Sequence, residues 1–274
     1  MNRSFQAWIG AGHPGPSLAI SAMVTALAVR ASPDGSDALL MGPAMLAGQL
    51  SIGWSNDAAD ARRDAAAGRT DKPVATGLIS ARTIWITAVV SLVVALGLAL
   101  AVSVTTALLT AVVIGAGWAY NLGLKATLAS GAMYLLGFAP LPAYATSALP
   151  GHPWPRWSMT VVAGALGLGA HFVNVLPDLD GDRAAGVGGL PQRVAAAWGP
   201  GAVRATAIVL LGAASLLLLT VGGLPPPIVA AGLVATVALG VVGATTSGRT
   251  PFLAAIALAG VDVALLVLGG TALT

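Results

Sequence analysis

The chain has 274 residues, of which 57% are hydrophobic and 8% charged, with a mean hydropathy of +0.86 and a formal net charge of +3. A water-soluble domain carries about 25% charged residues, so this composition excludes an ordinary soluble globule and points to a lipid bilayer as solvent. Cysteine is absent, which excludes disulfides and thiolate chemistry.

Long uncharged runs dominate the chain, at 4–29, 38–55, 83–124, 126–155, 157–177 and 205–248. A helix needs roughly 20 apolar residues to cross the hydrocarbon core, so the runs at 83–124 and 205–248 are each long enough for two. The first has a turn signal at Ser103-Val-Thr-Thr106 and the second at Gly222-Gly-Leu-Pro-Pro-Pro227. The pattern predicts nine transmembrane helices at about 16–30, 37–55, 83–102, 105–122, 129–148, 157–177, 203–221, 226–245 and 252–271. The first apolar run lacks a small-residue cleavage pattern and reads as a retained helix, not a signal peptide. The fold class expected is all-α: one polytopic membrane domain over 1–274, with no separate soluble domain or linker.

Nine crossings sort the connecting segments onto two sides. The N-terminus and the segments 56–82, 121–128, 178–204 and 246–251 share one side, which holds eleven of the thirteen Lys and Arg; only Arg30 and Arg156 lie on the other. The positive-inside rule then makes the first side cytoplasmic. This is expected of an integral protein of the cell membrane whose partners are the bilayer and small lipophilic molecules, not nucleic acid.

All ten acidic residues are aspartate, and six fall into two short clusters on the predicted cytoplasmic side. The first, Asn56-Asp57-x-x-Asp60-x-x-x-Asp64, continues the second helix beyond the membrane. Offsets of three, four and seven put the three carboxylates on one helical face with Asn56 beside them. The second, Asn174-x-x-x-Asp178-x-x-x-Asp182, ends the sixth helix, where four-residue spacing again aligns the side chains and leaves Asp180 pointing away. Pro177 removes a backbone hydrogen bond and bends this helix just before the cluster. Carboxylates crowded on one face repel unless something positive sits between them. Hard oxygen donors with room for water suit Mg²⁺, which binds through one or two carboxylates plus substrate phosphates. Two facing sets bridged by Mg²⁺ make a diphosphate clamp, and the basic residues that follow each cluster neutralise the remaining phosphate charge.

These motifs, together with Asp71-Lys-Pro-Val-Ala-Thr-Gly77, Tyr120-Asn-x-x-Leu-Lys125 and Leu176-Pro-Asp-Leu-Asp-Gly-Asp-Arg183, make the chain similar to the UbiA superfamily of intramembrane prenyltransferases over almost its whole length. The resemblance implies nine helices around a central cavity open to the membrane, closed by a cytoplasmic cap. It implies that Asp57, Asp60, Asp64, Asp178 and Asp182 hold Mg²⁺ with Asn56 and Asn174 in support. It further implies that Lys72 and Lys125 contact the diphosphate, with Tyr120 nearby. Position 174 departs from the commoner pattern, in which Asp stands there; the Asn carbonyl oxygen can still coordinate. Near the first helix, where benzoate-using members of the superfamily offer an Arg, this chain has His13-Pro14, which weighs against a carboxylated aromatic acceptor.

The reaction implied is loss of diphosphate from an allylic prenyl diphosphate and capture of the allylic cation by a lipophilic, typically aromatic, acceptor. A class I terpene cyclase would need the same ionising groups. A transporter would instead string its charges through the membrane, whereas these crowd one surface. Within the helices, His171 shares the face of Asn174 and Asp178 and is a candidate to line the cavity near the acceptor. Gln49 lies seven residues before Asn56 and suits an interhelical hydrogen bond. Asp262 sits near mid-bilayer, where a lone charge is costly, so it is expected to be protonated or paired. Trp54, Trp118, Trp154 and Trp157 fall at predicted helix ends and read as interfacial anchors.

Overall fold

A computed structural model describes residues 3–31, 37–177, 179–184, 186–246, 249–269 and 273. Among the described residues it is all-helical in its regular structure, without strands. An initial helix α1 (Arg3–Ala11) is followed by α2 (Pro14–Ala31), α3 (Ala38–Ala66), α4 (Ala81–Val102) and α5 (Val104–Asn121). After a 3₁₀ turn at Leu124–Ala126 come α6 (Ser130–Phe138), α7 (Leu141–Thr146) and α8 (Trp157–Val175). The short helices α9 (Leu179–Ala184) and α10 (Leu190–Trp198) precede α11 (Pro200–Val221), α12 (Pro226–Thr245) and α13 (Thr250–Leu268). Six helices, α4, α5, α8, α11, α12 and α13, are long and apolar enough to cross a membrane.

The other three predicted spans coincide with α2, α3 and the α6–α7 pair. Helix α2 opens on Pro14 and Pro16 and ends on Arg30. Helix α3 is a single rod of 29 residues, roughly 44 Å at 1.5 Å per residue. That exceeds a hydrocarbon core of about 30 Å, so its aspartate end projects beyond an apolar first part. The segment predicted as one helix at 129–148 is two: α6 stops at Phe138 and α7 starts again after Pro140, which lacks the N–H needed to continue the ladder.

Turn chemistry fixes the connections. Ser103 is a one-residue break between α4 and α5, extended at φ −164° and ψ 162°, and its hydroxyl caps α5 by accepting from the Thr106 N–H at 3.0 Å. Ser80 caps α4 in the same way through the Thr83 N–H. At the second cluster the structure corrects the expected bent helix. Helix α8 ends at Val175, and Leu176 and Pro177 form a turn before α9. Asn174 and Asp182 therefore do not share one continuous helical face, because Pro177 breaks the helix where a bend was predicted.

Helix α3 packs against α2, α4 and α5, while α8 packs against α6 and α11. Small residues let these helices approach closely. A Cβ on Gly117 would lie 2.6 Å from the Ile52 side chain, and one on Gly167 would lie 2.6 Å from Phe138. Met41, Met45, Leu27, Leu141, Met159, Leu211 and Tyr144 fill the centre. Val89, Val90 and Val93 on α4, with Val234, Val237 and Val241 on α12, face outward instead. Apolar side chains exposed in such rows suit lipid.

Polar side chains inside the bundle are paired across helices. Ser51 Oγ donates to the Ala88 carbonyl at 2.7 Å and accepts from Trp118 Nε1 at 3.0 Å, joining α3, α4 and α5. Asn121 donates to the Ile52 carbonyl and to Ser55 Oγ. Tyr144 donates to the Met41 carbonyl at 2.8 Å. Gln49 bonds within its own helix, to Met45 Sδ, instead of across helices. Asp262 is fully buried; its Oδ1 accepts from Ser215, while its Oδ2 has no hydrogen-bond partner among the described residues.

The tryptophans divide. Trp154 and Trp157 are 73% and 76% exposed, as anchors should be, but Trp54 is only 4% exposed. Trp54 donates to the Trp8 carbonyl at 3.0 Å and packs on the Trp8 ring at 4.6 Å, fastening α1 to α3. Trp118 is likewise a strut between α3 and α5, not a belt residue. Replacing Ser51→Ala leaves Trp118 Nε1 without its acceptor and is expected to lower stability by about 1 kcal/mol. Denaturant unfolding of the detergent-solubilised protein would measure the loss.

Candidate active site

The projecting end of α3 carries Asp57, Asp60 and Asp64 on one face, and all three are buried, at 2%, 8% and 7% exposure. Buried carboxylates at this spacing demand donors and counter-charge; Lys72, Lys125 and Arg63 supply charge, and His13 adds a fourth contact. Lys72, in the loop after α3, donates to Asp57 Oδ1 at 2.7 Å, and His13 Nε2, from the α1–α2 turn, lies 2.9 Å from the same oxygen. Lys125, in the 3₁₀ turn after α5, donates to Asp60 Oδ1. Arg63, on α3 itself, donates to Asp60 Oδ2 at 2.8 Å and lies 3.8 Å from Asp64. Asn56 sits half-buried beside this face.

The electrostatics differ from one group to the next. Burial alone would raise the pKa of Asp57, but the His13 and Lys72 contacts outweigh it and hold the carboxyl below its ordinary value. Asp64 is pushed up by burial and by the charge of Asp60, with Arg63 giving only partial relief. Lys125 is lowered by burial, against the pull of Asp60. On the surface nearby, Arg69 grips Asp71 with two hydrogen bonds of 2.8 and 2.7 Å and draws it down to about 2. A cleft of about 570 Å³ opens onto Asp57, His13 and Lys72, with Gln6 and Gly10 on one wall and Leu78 on the other.

The second cluster is assembled differently. Asn174 donates to the Tyr134 hydroxyl at 3.3 Å, and Asp182 accepts from Gln192 Nε2 of α10 at 2.7 Å. Asp178 lies outside the described residues. His171 is fully buried; its ring stacks on Tyr134 at 4.3 Å, and Nε2 is 3.0 Å from Ser130 Oγ. Tyr120 closes this group edge-on to Tyr134 and His171, with centroids 5.3 and 5.8 Å apart. Tyr120, at the end of α5, lies five residues before Lys125, which donates to Asp60, so this aromatic group borders the α3 carboxylates.

Where the sequence suggested one site, the structure gathers the α3 carboxylates with Lys72 and Lys125, and sets Tyr120, His171 and Asn174 together in a second group. Sequence reasoning missed His13, Arg63, Tyr134 and Gln192 as site residues. Arg63 was findable, three residues after Asp60 on the same helix face. The others come from distant turns and helices, and no local spacing announces them.

The donors suit a hard cation. They are oxygen atoms, and among the described residues no three Asp or His side chains enclose a single point. A cation held by one or two of these carboxylates would take its remaining oxygens from a ligand's phosphates, which is how Mg²⁺ is commonly held.

Residues 17–258 match the sequence model of the UbiA prenyltransferase family. The chain belongs to that family. Its fold is that of solved UbiA homologues at low identity. A homologue from Archaeoglobus fulgidus bound to DMAPP and Mg²⁺ is 17% identical, with a TM-score of 0.71 over 94% of this chain and 98% of that one. A homologue from Aeropyrum pernix K1, solved in its apo state, is 18% identical, with a TM-score of 0.69 over 99% and 98% of the two chains. A digeranylgeranylglyceryl phosphate synthase is 12% identical, with a TM-score of 0.66 over 99% and 100%. No curated protein matches the chain by sequence.

Two kinds of contact meet at Tyr134 in this UbiA chain, and they separate by substitution. Tyr134→Phe keeps the ring on His171 and loses only the hydroxyl that Asn174 reaches, so its cost is expected to be about 1 kcal/mol. Tyr134→Ala removes the ring as well and is expected to cost about 3–5 kcal/mol. Comparative unfolding of the two variants in detergent checks the order and the gap.

Proposed function

We propose that this chain is a Mg²⁺-dependent intramembrane prenyltransferase, moving a prenyl group from an allylic prenyl diphosphate to a lipophilic, aromatic acceptor. One observation carries the reading. Two lysines from separate loops, Lys72 and Lys125, converge on the buried carboxylates Asp57 and Asp60. Such an arrangement binds a small ligand that is itself densely negative and brings its own cations. The A. fulgidus homologue with DMAPP and Mg²⁺ supports the choice of ligand.

In this reading Asp57, Asp60 and Asp64, with Asn56, face Asn174, Asp178 and Asp182 across the diphosphate. Bound Mg²⁺ supplies charge neutralisation to the departing diphosphate. Lys72 and Lys125 exchange aspartate oxygens for phosphate oxygens as substrate arrives, and Arg63 keeps Asp60 and Asp64 compensated. The allylic C–O bond breaks, diphosphate leaves with the electron pair, and the acceptor forms the new C–C bond and then loses a proton. Tyr120 stands at the junction of the clusters, where its ring face can stabilise the allylic cation. His171 stacks behind Tyr134 and fixes the wall against which the acceptor lies. Water is kept out by the apolar bundle around this group.

The membrane arrangement we favour has nine crossings, the six apolar helices together with α2, α3 and the α6–α7 pair. The excess of Lys and Arg on one side puts the N-terminus, both aspartate clusters and a cap built from α9, α10 and the 67–80 loop in the cytoplasm.

Asp60→Ala and Asp178→Ala are each expected to abolish turnover while the protein stays folded, because the carboxylates hold ligand and do not pack a core. EDTA should mimic them and added Mg²⁺ should reverse EDTA alone. Full turnover in metal-free buffer would remove the clamp mechanism.

Diphosphate release is expected to depend on an added acceptor, since the cation waits for a second molecule. A tethered double bond needs none, because intramolecular capture reaches effective molarities of roughly 10⁵–10⁸ M. Enzyme, Mg²⁺ and farnesyl or geranylgeranyl diphosphate, incubated alone and extracted with hexane, decide the matter. A cyclic hydrocarbon or terpene alcohol formed at a catalytic rate would make the protein a cyclase.

A further inference from the structure

His13 holds one of two positive φ angles among the described non-glycine residues, at +50°. A non-glycine residue in that region is uncommon and stores strain that the surroundings must override. The surroundings here are elaborate. The Gly12 backbone lies so close to α3 that a Cβ on Gly53 would sit 2.3 Å from the Gly12 carbonyl oxygen. That same oxygen accepts from Ser17 Oγ at 3.1 Å. Trp8 and Trp54 lock α1 beside it through their ring contact and hydrogen bond.

All of this delivers one side chain to one atom. His13 Nε2 meets Asp57 Oδ1 at 2.9 Å, and Lys72 meets the same Oδ1 at 2.7 Å, while neither engages Oδ2. A carboxylate only accepts, so His13 Nε2 carries the proton and donates. Lys72 is in a loop and can move to a phosphate, whereas His13 is tied to a backbone that is fastened to α3.

We infer that His13 is a positioning residue: it pins Oδ1 of Asp57 from the α1–α2 turn and so keeps Oδ2 turned toward the cation and diphosphate when Lys72 leaves for substrate. This rests on the proposed role of Asp57 in binding the cation. Side chains that orient a ligating group typically change metal affinity about 10–100-fold when removed.

The test uses the full chain in detergent with Mn²⁺ as probe, its free concentration read by electron paramagnetic resonance, and melting measured in parallel. His13→Gly keeps the positive φ without strain and removes the imidazole. It is expected to melt no lower than wild type and to bind Mn²⁺ about 10-fold or more weakly. His13→Gln places an amide donor at similar reach and is expected to recover most of the loss. Wild-type affinity in His13→Gly, or a His13→Gln protein as weak as His13→Gly, overturns the inference. A His13→Gly protein that melts well below wild type also overturns it, by making the side chain a packing element. Asp57→Asn separates the two levels: if it binds Mn²⁺ as wild type does, the cation-binding role of Asp57 itself fails.

Discussion

Asp57, Asp60 and Asp64 have to be stripped of most of their water at the end of a long apolar helix, and the rest of the site follows from that. A buried carboxylate is costly unless paired and hydrogen-bonded. Three of them in two helical turns oblige the chain to bring cations and hydrogen-bond donors from elsewhere. Lys72 returns over the cluster in the loop after α3, Lys125 arrives from the end of α5, and His13 arrives from the N-terminal turn. The connections between helices are thus drawn to one end of α3 by electrostatics, while the helices themselves are held together by close packing.

The pairing is also poised to be exchanged. Asp60 is shared by Arg63 and Lys125, and Asp57 by His13 and Lys72. Each aspartate therefore keeps one partner if its lysine turns to a phosphate. An anionic substrate with its own cations can enter without leaving any buried carboxylate alone, which keeps the substitution of partners low in cost. The opposite sense of the shifts at Asp57 and Asp64 follows from this distribution: one carboxyl has two close donors, and the other has a like-charged neighbour and a guanidinium at 3.8 Å.

Much of this was legible in the sequence because the signals were local. Apolar run length revealed α4, α5, α8, α11, α12 and α13, and the Ser103 and Gly222–Pro227 turns fell where turn chemistry placed them. Helical spacing put the three α3 carboxylates on a shared face. The prolines were harder to weigh. Pro140 and Pro177 each lie two residues beyond a helix end, whereas Pro43 is absorbed inside α3. Tertiary partners were illegible. Nothing in the neighbourhood of His13, Tyr134 or Gln192 says that they meet residues 44, 40 and 10 positions away. Trp54 looked like an interfacial anchor because its helix-end position is the same whether the ring faces lipid or another helix.

The break between α6 and α7 bears on how a lipophilic molecule could reach the site. Backbone that leaves the helix at membrane depth must be shielded from hydrocarbon, since lipid offers no partner for a freed carbonyl. All six residues of α7, from Leu141 to Thr146, are buried, walled in by α2, α5 and α8, while the break itself, at Ala139 and Pro140, is half-buried. If the α6–α7 pair lies within the bilayer, as the nine-crossing arrangement proposes, a seam between unbroken helices is the less costly place for the bundle to part, because it exposes only apolar side chains.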